Sequence, residues 1–203
     1  LVPNDPCYAS SCLGEYQWYL PAIGMPAAWN VNKGSSALKV GALDSGVDVG
    51  HPDLVGHVAL GPNFSDDPNT DDEYGHGTHV AGILSATANN HAYISGVAWN
   101  TSVTSIKVLD STGLGTSSGL AQALYWAADN GMRIVNLSLS GPYSEAIADA
   151  VAYAQTKGLL VVAAAGNDGS TDAVFPAALP DVLSVGATDR YDKITSFSNR
   201  GTW

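Results

Sequence analysis

Short apolar runs alternate with helical patterns along this chain, and that alternation limits the folds open to it. The runs are rich in Val, Ile, Leu and Ala, which is typical of strands buried on both faces. Helical patterns fall between several of them, and two of these patterns are followed by a glycine stop signal, Gly131 or Gly158. The predicted strands cover residues 37–43, 103–109, 133–139, 159–165 and 182–187, and the predicted helices cover 78–88, 117–130 and 144–157. We therefore predict an α/β fold with a mostly parallel sheet and helices on both faces.

The charge balance narrows the possible partners. Asp and Glu number 19 while Lys and Arg number 8, which gives a net charge of −11. A surface this acidic repels phosphate backbones and anionic lipid, so we expect no nucleic acid and no membrane partner. Of the 19 acidic residues 16 are Asp, a residue that favours turns, helix N-caps and hard-cation sites. This bias points to calcium.

Two cysteines, Cys7 and Cys12, lie close together in a turn-rich stretch. Their spacing permits a small-loop disulfide and gives no zinc site without further ligands. A disulfide would place the protein in an oxidising compartment, and two unpaired thiols remain the alternative.

Polar residues follow several of the predicted strands. Asp44, Ser138, Ser140 and Asn167 all lie at carboxyl ends, where ligands bind to a parallel sheet. His76 lies between two glycines at the start of a predicted helix, which allows close approach of backbone or substrate to its ring. A carboxylate that orients a histidine forms two thirds of a triad that activates a nucleophile. The Asn167 amide could stabilise negative charge on a carbonyl oxygen.

Three blocks of the chain, in order, resemble the subtilisin-like serine proteases. They are DSGV with HPDL at 44–47 and 51–54, GHGTHVAG at 75–82 and AAAGN at 163–167, and the opening PNDP at 3–6 resembles the thermitase branch. The resemblance implies a three-layer subtilisin-like fold in a single peptidase domain spanning 1–203. It also implies that Asp44 orients the histidine, that His76 acts as general base and then acid, and that Asn167 is the oxyanion donor.

The nucleophile is missing from this pattern. In the family it is the serine of a Gly-Thr-Ser-Met-Ala block beyond the oxyanion asparagine, and the 36 residues that follow Asn167 contain no such block. The segment 115–119 spells G-x-S-x-G, but Ser117 lies eight positions past Leu109, and all five histidines precede it. We predict that Ser117 is a helix N-cap. We expect the chain to be the N-terminal portion of a protease, with its serine beyond Trp203, and to be inactive alone.

The resemblance also assigns a substrate groove, in which two backbone segments pair with an extended peptide and give broad affinity. These substrate-binding residues are Gly113, Leu114 and Gly115 on one side and Ser138, Leu139, Ser140 and Gly141 on the other. Ala164 and Gly166 would form a further pocket wall, where such small residues favour a large apolar side chain. Ser140 replaces the usual glycine at the pocket rim, which leaves the pocket size open.

One calcium site follows from the same resemblance. Its side-chain ligands are Asp5, Asp53 and Asn90, and its backbone carbonyl ligands are those of Thr87, Ala92 and Ile94. Such a site would tie the N-terminus to a distant loop, although Asp5 alone would also suit a turn. The acidic loop at 65–73 stays open between a second, weaker cation site and a solvated surface.

The main hypothesis is a secreted, calcium-stabilised, monomeric serine endopeptidase that acts on polypeptides with broad specificity. A zinc site formed by Asp44, His76 and His79 is one alternative, although its spacing does not match H-E-x-x-H, and we predict that His79 is a packed helix residue. A non-catalytic binding module or pseudoprotease on the same fold is the other. The Phe175-Pro176 bond resembles a family position with a cis bond, while trans is the default.

Overall fold

A six-stranded parallel sheet organises the computed structural model, which describes residues 1–9 and 16–203. The spatial order of the strands is β2-β3-β1-β4-β5-β6, and every pairing between neighbours is parallel. The strands are β1 (Val40–Asp44), β2 (Val58–Asn63), β3 (Val103–Lys107), β4 (Ile134–Leu137), β5 (Leu160–Ala164) and β6 (Leu183–Val185). The predicted α/β fold with a mostly parallel sheet is confirmed, and all five predicted strands are present.

Six helices accompany these strands in the described part of the chain. They are α1 (Pro6–Ala9), α2 (Tyr19–Ala22), α3 (Met25–Val31), α4 (His76–Ser85), α5 (Ser117–Asp129) and α6 (Glu145–Thr156). The three long helices were predicted, and Gly131 and Gly158 follow α5 and α6 with positive φ angles of 72° and 76°. The prediction that Ser117 caps α5 was wrong by one position. Thr116 is the N-cap, and its side chain accepts a hydrogen bond from the Gly119 amide.

Four elements were missed, because their sequences carry weak signals. Strand β2 reads VALGPN, in which Gly and Pro argue against a strand, and it lies at the edge of the sheet where such residues are tolerated. Helices α1 to α3 have only four to seven residues, too few to show a helical period.

The two faces of the sheet carry different layers. Leu43 of β1 belongs to the main core, together with Leu124 of α5 and Val151 of α6. The next residue, Asp44, points to the opposite face because side chains alternate along a strand, and α4 covers it there. Asp44 is therefore buried beneath the first turn of α4 at the carboxyl end of a central strand.

Two further features of the backbone concern earlier predictions. The Phe175-Pro176 peptide bond is cis, so the default expectation of trans was wrong and the expectation from the family resemblance was right. The expected disulfide between Cys7 and Cys12 stays a prediction, because Cys12 lies outside the described residues. None of the described helices combines the length and apolar character needed to cross a membrane.

Helix α4 approaches the sheet through Gly77. A Cβ atom added there would collide with the Gly46 carbonyl oxygen and lie 3.2 Å from Asp44 Cβ. We predict that Gly77→Ala lowers the free energy of unfolding by about 1–3 kcal/mol, because backbone rather than a flexible side chain blocks the methyl group. Urea denaturation followed by circular dichroism measures this loss.

Gly82→Ala is the matched control on the same helix. Its added Cβ would meet only Ile94 Cδ1 at 3.4 Å, and alanine is the better helix former, so stability is expected to stay equal or to rise by up to about 1 kcal/mol. Equal losses in the two variants would contradict close packing at Gly77.

Candidate active site

A hydrogen bond joins the two side chains that the sequence singled out first. His76 Nδ1 lies 2.7 Å from Asp44 Oδ1, and the Asp44 side chain is 2% exposed while that of His76 is 37% exposed. Burial raises the pKa of Asp44, and the hydrogen bonds from His76 and Ser45 oppose that rise. The carboxylate accepts a hydrogen bond from Nδ1–H, so the Nε2 nitrogen on the other side of the ring is unprotonated and available as a base.

Local sequence explains how His76 reaches this position. Helix α4 begins at His76, and its N-cap, Gly75, has a φ angle of 89° and no side chain to offer the free amides of the first turn. Asp72 supplies the cap instead. Its Oδ1 accepts from the Gly75 amide at 2.8 Å, and its Oδ2 accepts from the Thr78 amide at 2.7 Å and the Thr78 hydroxyl at 2.6 Å.

Asp72 also reaches the strand that carries Asp44. The Ser45 hydroxyl donates to Asp72 Oδ1 at 2.7 Å and accepts from the Gly77 amide at 3.0 Å. Burial alone would raise the pKa of Asp72, but the hydrogen bonds from Thr78, Ser45 and Gly75 outweigh it and hold that pKa below its usual value. Sequence reasoning missed this role, and an Asp shortly before a helix that lacks a capping side chain was the available signal.

A cavity of about 420 Å³ opens beside His76. All seven residues predicted to pair with a peptide line it, namely Gly113, Leu114, Gly115, Ser138, Leu139, Ser140 and Gly141. Apolar side chains, including Leu109, Leu120, Ile147 and Phe175, line it as well. Gly141 forms an antiparallel bridge with Phe175, and its amide donates to the Phe175 carbonyl at 2.8 Å.

Tyr74 forms part of the same wall, which the sequence did not indicate. Its ring lies against Gly113, where an added Cβ would come within 2.7 Å of Tyr74 Cζ, and its centroid is 6.4 Å from that of His76. Gly113 has a φ angle of 79° as well. A side chain at Gly113 is therefore excluded both by backbone conformation and by the Tyr74 ring.

The structure does not bring the other predicted wall to this cavity. Ala164 is the last residue of β5 and Gly166 follows two residues later, but neither lines the cavity that contains His76. Asn167 is exposed at the same edge of the sheet. Strand β4 lies between β1 and β5, so Asn167 follows a strand roughly 10 Å from the one that ends at Asp44.

Asn199 holds the segment that carries Asn167, another role that sequence reasoning missed. Asn199 is buried, and its side-chain Oδ1 accepts from the backbone amides of Asp168 at 2.9 Å and Ser170 at 3.0 Å. Its own backbone amide donates to the Gly166 carbonyl at 3.0 Å. These hydrogen bonds fix the backbone on both sides of Asn167. The partners lie about 30 residues apart in the chain, so no local pattern could have indicated them.

Hydrogen bonds join the residues that were predicted to bind calcium. Asp5 accepts from the Asn90 amide at 3.1 Å, Asp53 accepts from Asn90 Nδ2 at 2.7 Å and from the Ile94 amide at 3.2 Å, and the Ala92 amide donates to Asn90 Oδ1 at 2.8 Å. The Thr87 amide donates to the Asp53 carbonyl at 2.8 Å.

The chemistry of this cluster suits a hard cation. Asp5 and Asp53 are both buried, and neither forms an ion pair with a basic residue within the described ranges. Two buried carboxylates beside a side-chain amide leave negative charge that a cation would neutralise.

Two carboxylates of the acidic loop at 65–73 bond to the neighbouring sheet and helix. Asp67 Oδ2 lies 3.2 Å from the buried Lys107 ammonium, which also donates to the Asp71 carbonyl at 2.8 Å, while Asp72 caps α4. The loop is therefore joined to the sheet rather than simply solvated.

The zinc alternative gains no support. Within residues 1–9 and 16–203, no three His, Cys, Asp or Glu side chains are grouped so that they could hold a metal ion. The prediction that His79 is packed was wrong, because its position on α4 faces outward and leaves it exposed.

Comparisons with known proteins agree with this geometry. A profile of the Peptidase_S8 (subtilase) family matches residues 35–203. The chain is 45% identical over 204 residues to the thermophilic serine proteinase of Bacillus sp. strain AK1, covering 100% of this chain and 50% of that protein. It is 41% identical over 203 residues to thermitase of Thermoactinomyces vulgaris, covering 99% of this chain and 71% of thermitase. The chain thus spans about half the length of the first relative.

The carboxylates of Asp44 and Asp72 are expected to affect stability with opposite pH dependence. The raised pKa of Asp44 means that the unfolded carboxyl ionises first, so the protein loses stability as pH rises from 3.8 through the raised value. The lowered pKa of Asp72 gives stability that is present above 3.8 and is lost as pH falls through the folded value.

Urea denaturation of Asp44→Asn and Asp72→Asn between about pH 3 and pH 7 measures both effects. As pH rises, the free energy of unfolding of Asp44→Asn should increase relative to that of the parent protein, and that of Asp72→Asn should decrease relative to it. The same direction in both variants would contradict these environments.

Proposed function

The chain belongs to the subtilase family, and from that premise we propose that it forms part of a serine endopeptidase that uses Asp44 and His76 as two members of an Asp-His-Ser triad. The observation that carries the proposal is the 2.7 Å hydrogen bond between a buried carboxylate and a histidine that opens onto a cavity. That pair is the part of the triad that accepts and returns a proton.

The proposed reaction assigns Asp44, His76 and Asn167 the roles that the family resemblance implies for them. His76 Nε2 takes the proton of a serine hydroxyl as its oxygen attacks the peptide carbonyl, and Asp44 stabilises the imidazolium that forms. Asn167 donates a hydrogen bond to the oxyanion of the tetrahedral intermediate. His76 then returns the proton to the leaving amine, and water releases the acyl group by the same two proton transfers.

The serine is the unassigned member of this site. Ser138 and Ser140 line the cavity, yet no serine hydroxyl in the described part of the chain hydrogen-bonds to the His76 ring. Ser117 is the first residue of α5 and does not line the cavity. The 36 residues after Asn167 contain no Gly-Thr-Ser-Met-Ala block, so we propose that the nucleophile lies in further sequence of the protein and expect no peptide hydrolysis by residues 1–203 alone.

The cavity supports broad specificity for polypeptides. The segments 113–115 and 138–141 offer backbone groups to an extended chain, which any sequence can pair with. The apolar side chains beneath them, such as Leu120 and Phe175, favour an apolar substrate side chain. We propose a monomer with one domain, because Asp44, His76, Asn167 and both groove segments come from this one chain.

A fluorophosphonate probe tests the proposal on the chain with its following coding sequence restored. We expect a covalent adduct on one serine, and we expect Asp44→Asn to lower kcat by about 10⁴-fold with little change in KM, because His76 would carry the wrong tautomer. Mass spectrometry locates the adduct, and peptide hydrolysis gives the kinetic constants.

Asp66→Asn is the control for that charge change, since Asp66 is an exposed residue of the acidic loop. We expect it to leave kcat unchanged. A folded, extended protein that neither reacts with the probe nor hydrolyses peptides would instead support a non-catalytic binding module.

We also propose that Asp5, Asp53 and Asn90 hold a calcium ion, with carbonyl oxygens of Thr87, Ala92 and Ile94 completing the site. The support is the pair of buried carboxylates described above. A bound cation would tie the N-terminal segment to the loop that follows α4. Secretion accords with this proposal, because calcium sites of this kind are filled where the free ion is abundant.

Calcium is expected to raise the Tm of the parent protein. At a calcium concentration of 100 times the Kd the gain corresponds to about 2.7 kcal/mol. We predict that Asp53→Asn abolishes the calcium response while Asp66→Asn retains it, as measured by scanning calorimetry with and without chelator. A parent protein whose Tm does not respond to calcium would contradict the site.

A further inference from the structure

We propose that Asp72 is a positioning residue for the Asp44 and His76 pair: it accepts the hydrogen bond of the Ser45 hydroxyl, so that Asp44 does not share its negative charge with that hydroxyl and keeps it for His76. The proposal depends on the role given to that pair under the proposed function. It concerns a residue that does not touch His76 itself and that lies in an acidic loop otherwise open to a surface role.

Asp72 accepts hydrogen bonds from two separate parts of the chain, the start of α4 and the residue after Asp44. Its four accepted hydrogen bonds come from Gly75, Thr78 twice and Ser45, at 2.6 to 2.8 Å. Three of these donors belong to the start of α4, and the fourth follows Asp44 directly. Asp72 therefore joins the helix that carries the histidine to the strand that carries the carboxylate.

The Ser45 hydroxyl has only one proton to donate. Its oxygen lies 2.7 Å from Asp72 Oδ1 and 3.3 Å from Asp44 Oδ1. The Gly77 amide donates to the same oxygen at 3.0 Å and occupies one of its lone pairs. The shorter distance directs the proton to Asp72, and the hydrogen bonds run from Gly77 through Ser45 to Asp72.

The strength of the hydrogen bond from His76 depends on how many other donors share the negative charge of Asp44. Its Oδ1 accepts from His76 Nδ1 and from the Ser45 amide, and its Oδ2 is buried without a hydrogen bond from the described residues. Without Asp72 the Ser45 hydroxyl would turn to Asp44. A third donor would share the carboxylate charge and weaken the bond to His76.

The other titratable groups near the pair are few. Tyr74 contacts the His76 ring, and Lys107 lies opposite Asp44 in the neighbouring strand with its ammonium held by Asp67. Neither one hydrogen-bonds to Ser45, so neither one affects whether the Ser45 hydroxyl donates to Asp72 or to Asp44.

The test uses the proton NMR signal of the hydrogen between His76 Nδ1 and Asp44 Oδ1, recorded at fixed pH. It needs no serine and no activity, so its result is independent of whether the protein is a protease. We expect Asp72→Ala to move this signal upfield. We expect the double variant Asp72→Ala/Ser45→Ala to restore it, because the hydroxyl that was redirected is gone.

Thr78→Val is the control for lost capping. It removes the hydroxyl bond to Asp72 and leaves the Ser45 bond in place, so stability should fall while the NMR signal stays unchanged. A signal that moves as far in Thr78→Val as in Asp72→Ala would overturn the proposal. So would an unmoved signal in Asp72→Ala, or one that Ser45→Ala does not restore.

Two further measurements keep the proposal testable. If Asp72→Ala does not fold, Ser45→Ala alone decides, because the signal should match the parent, and a downfield move would show that Ser45 had donated to Asp44. In the catalytically complete protein, Asp72→Ala should lower kcat by about 10- to 100-fold at nearly constant KM. A rise in KM with unchanged kcat would place Asp72 in substrate binding instead.

Discussion

A negative charge held under the first turn of a helix is the constraint on which this site depends. Asp44 lies at the end of a central strand, nearly inaccessible to water, and burial works against its ionised form. The surrounding residues are arranged to retain that charge and to direct it at one partner. His76 faces it, the Ser45 amide bonds to it, and Gly77 allows α4 to come close enough for the contact with His76.

The sequence predicted those parts of the structure that local patterns control. The five buried runs and the three long helices follow from composition and period, and Asp44 could be expected at the ligand-binding edge because carboxyl ends meet there in a parallel sheet. The pairing of Asp44 with His76, 32 residues apart, came instead from the family resemblance.

The features that the sequence did not indicate depend on contacts between distant segments or on short elements. Asp72 and Asn199 act through hydrogen bonds to backbone that only the folded chain brings near. Strand β2 forms at the edge of the sheet despite its Gly and Pro. The N-cap of α5 is Thr116 rather than the predicted Ser117, because the threonine hydroxyl is the one that accepts the hydrogen bond from the Gly119 amide. For His79 the local pattern was misleading, because its place on a helix was compatible with burial but the side chain is exposed in the folded chain.

One short segment carries both the cap of α4 and a wall of the cavity. Asp72 bonds to the start of the helix, and two residues later the Tyr74 ring covers Gly113. Because Tyr74 and Asp72 share one short stretch of backbone, a substitution that reshapes the aromatic wall of the cavity is expected to disturb the hydrogen bonds of Asp72 as well. A set of variants confined to the segment 72–75 would therefore vary the cap of the helix and the shape of the cavity together.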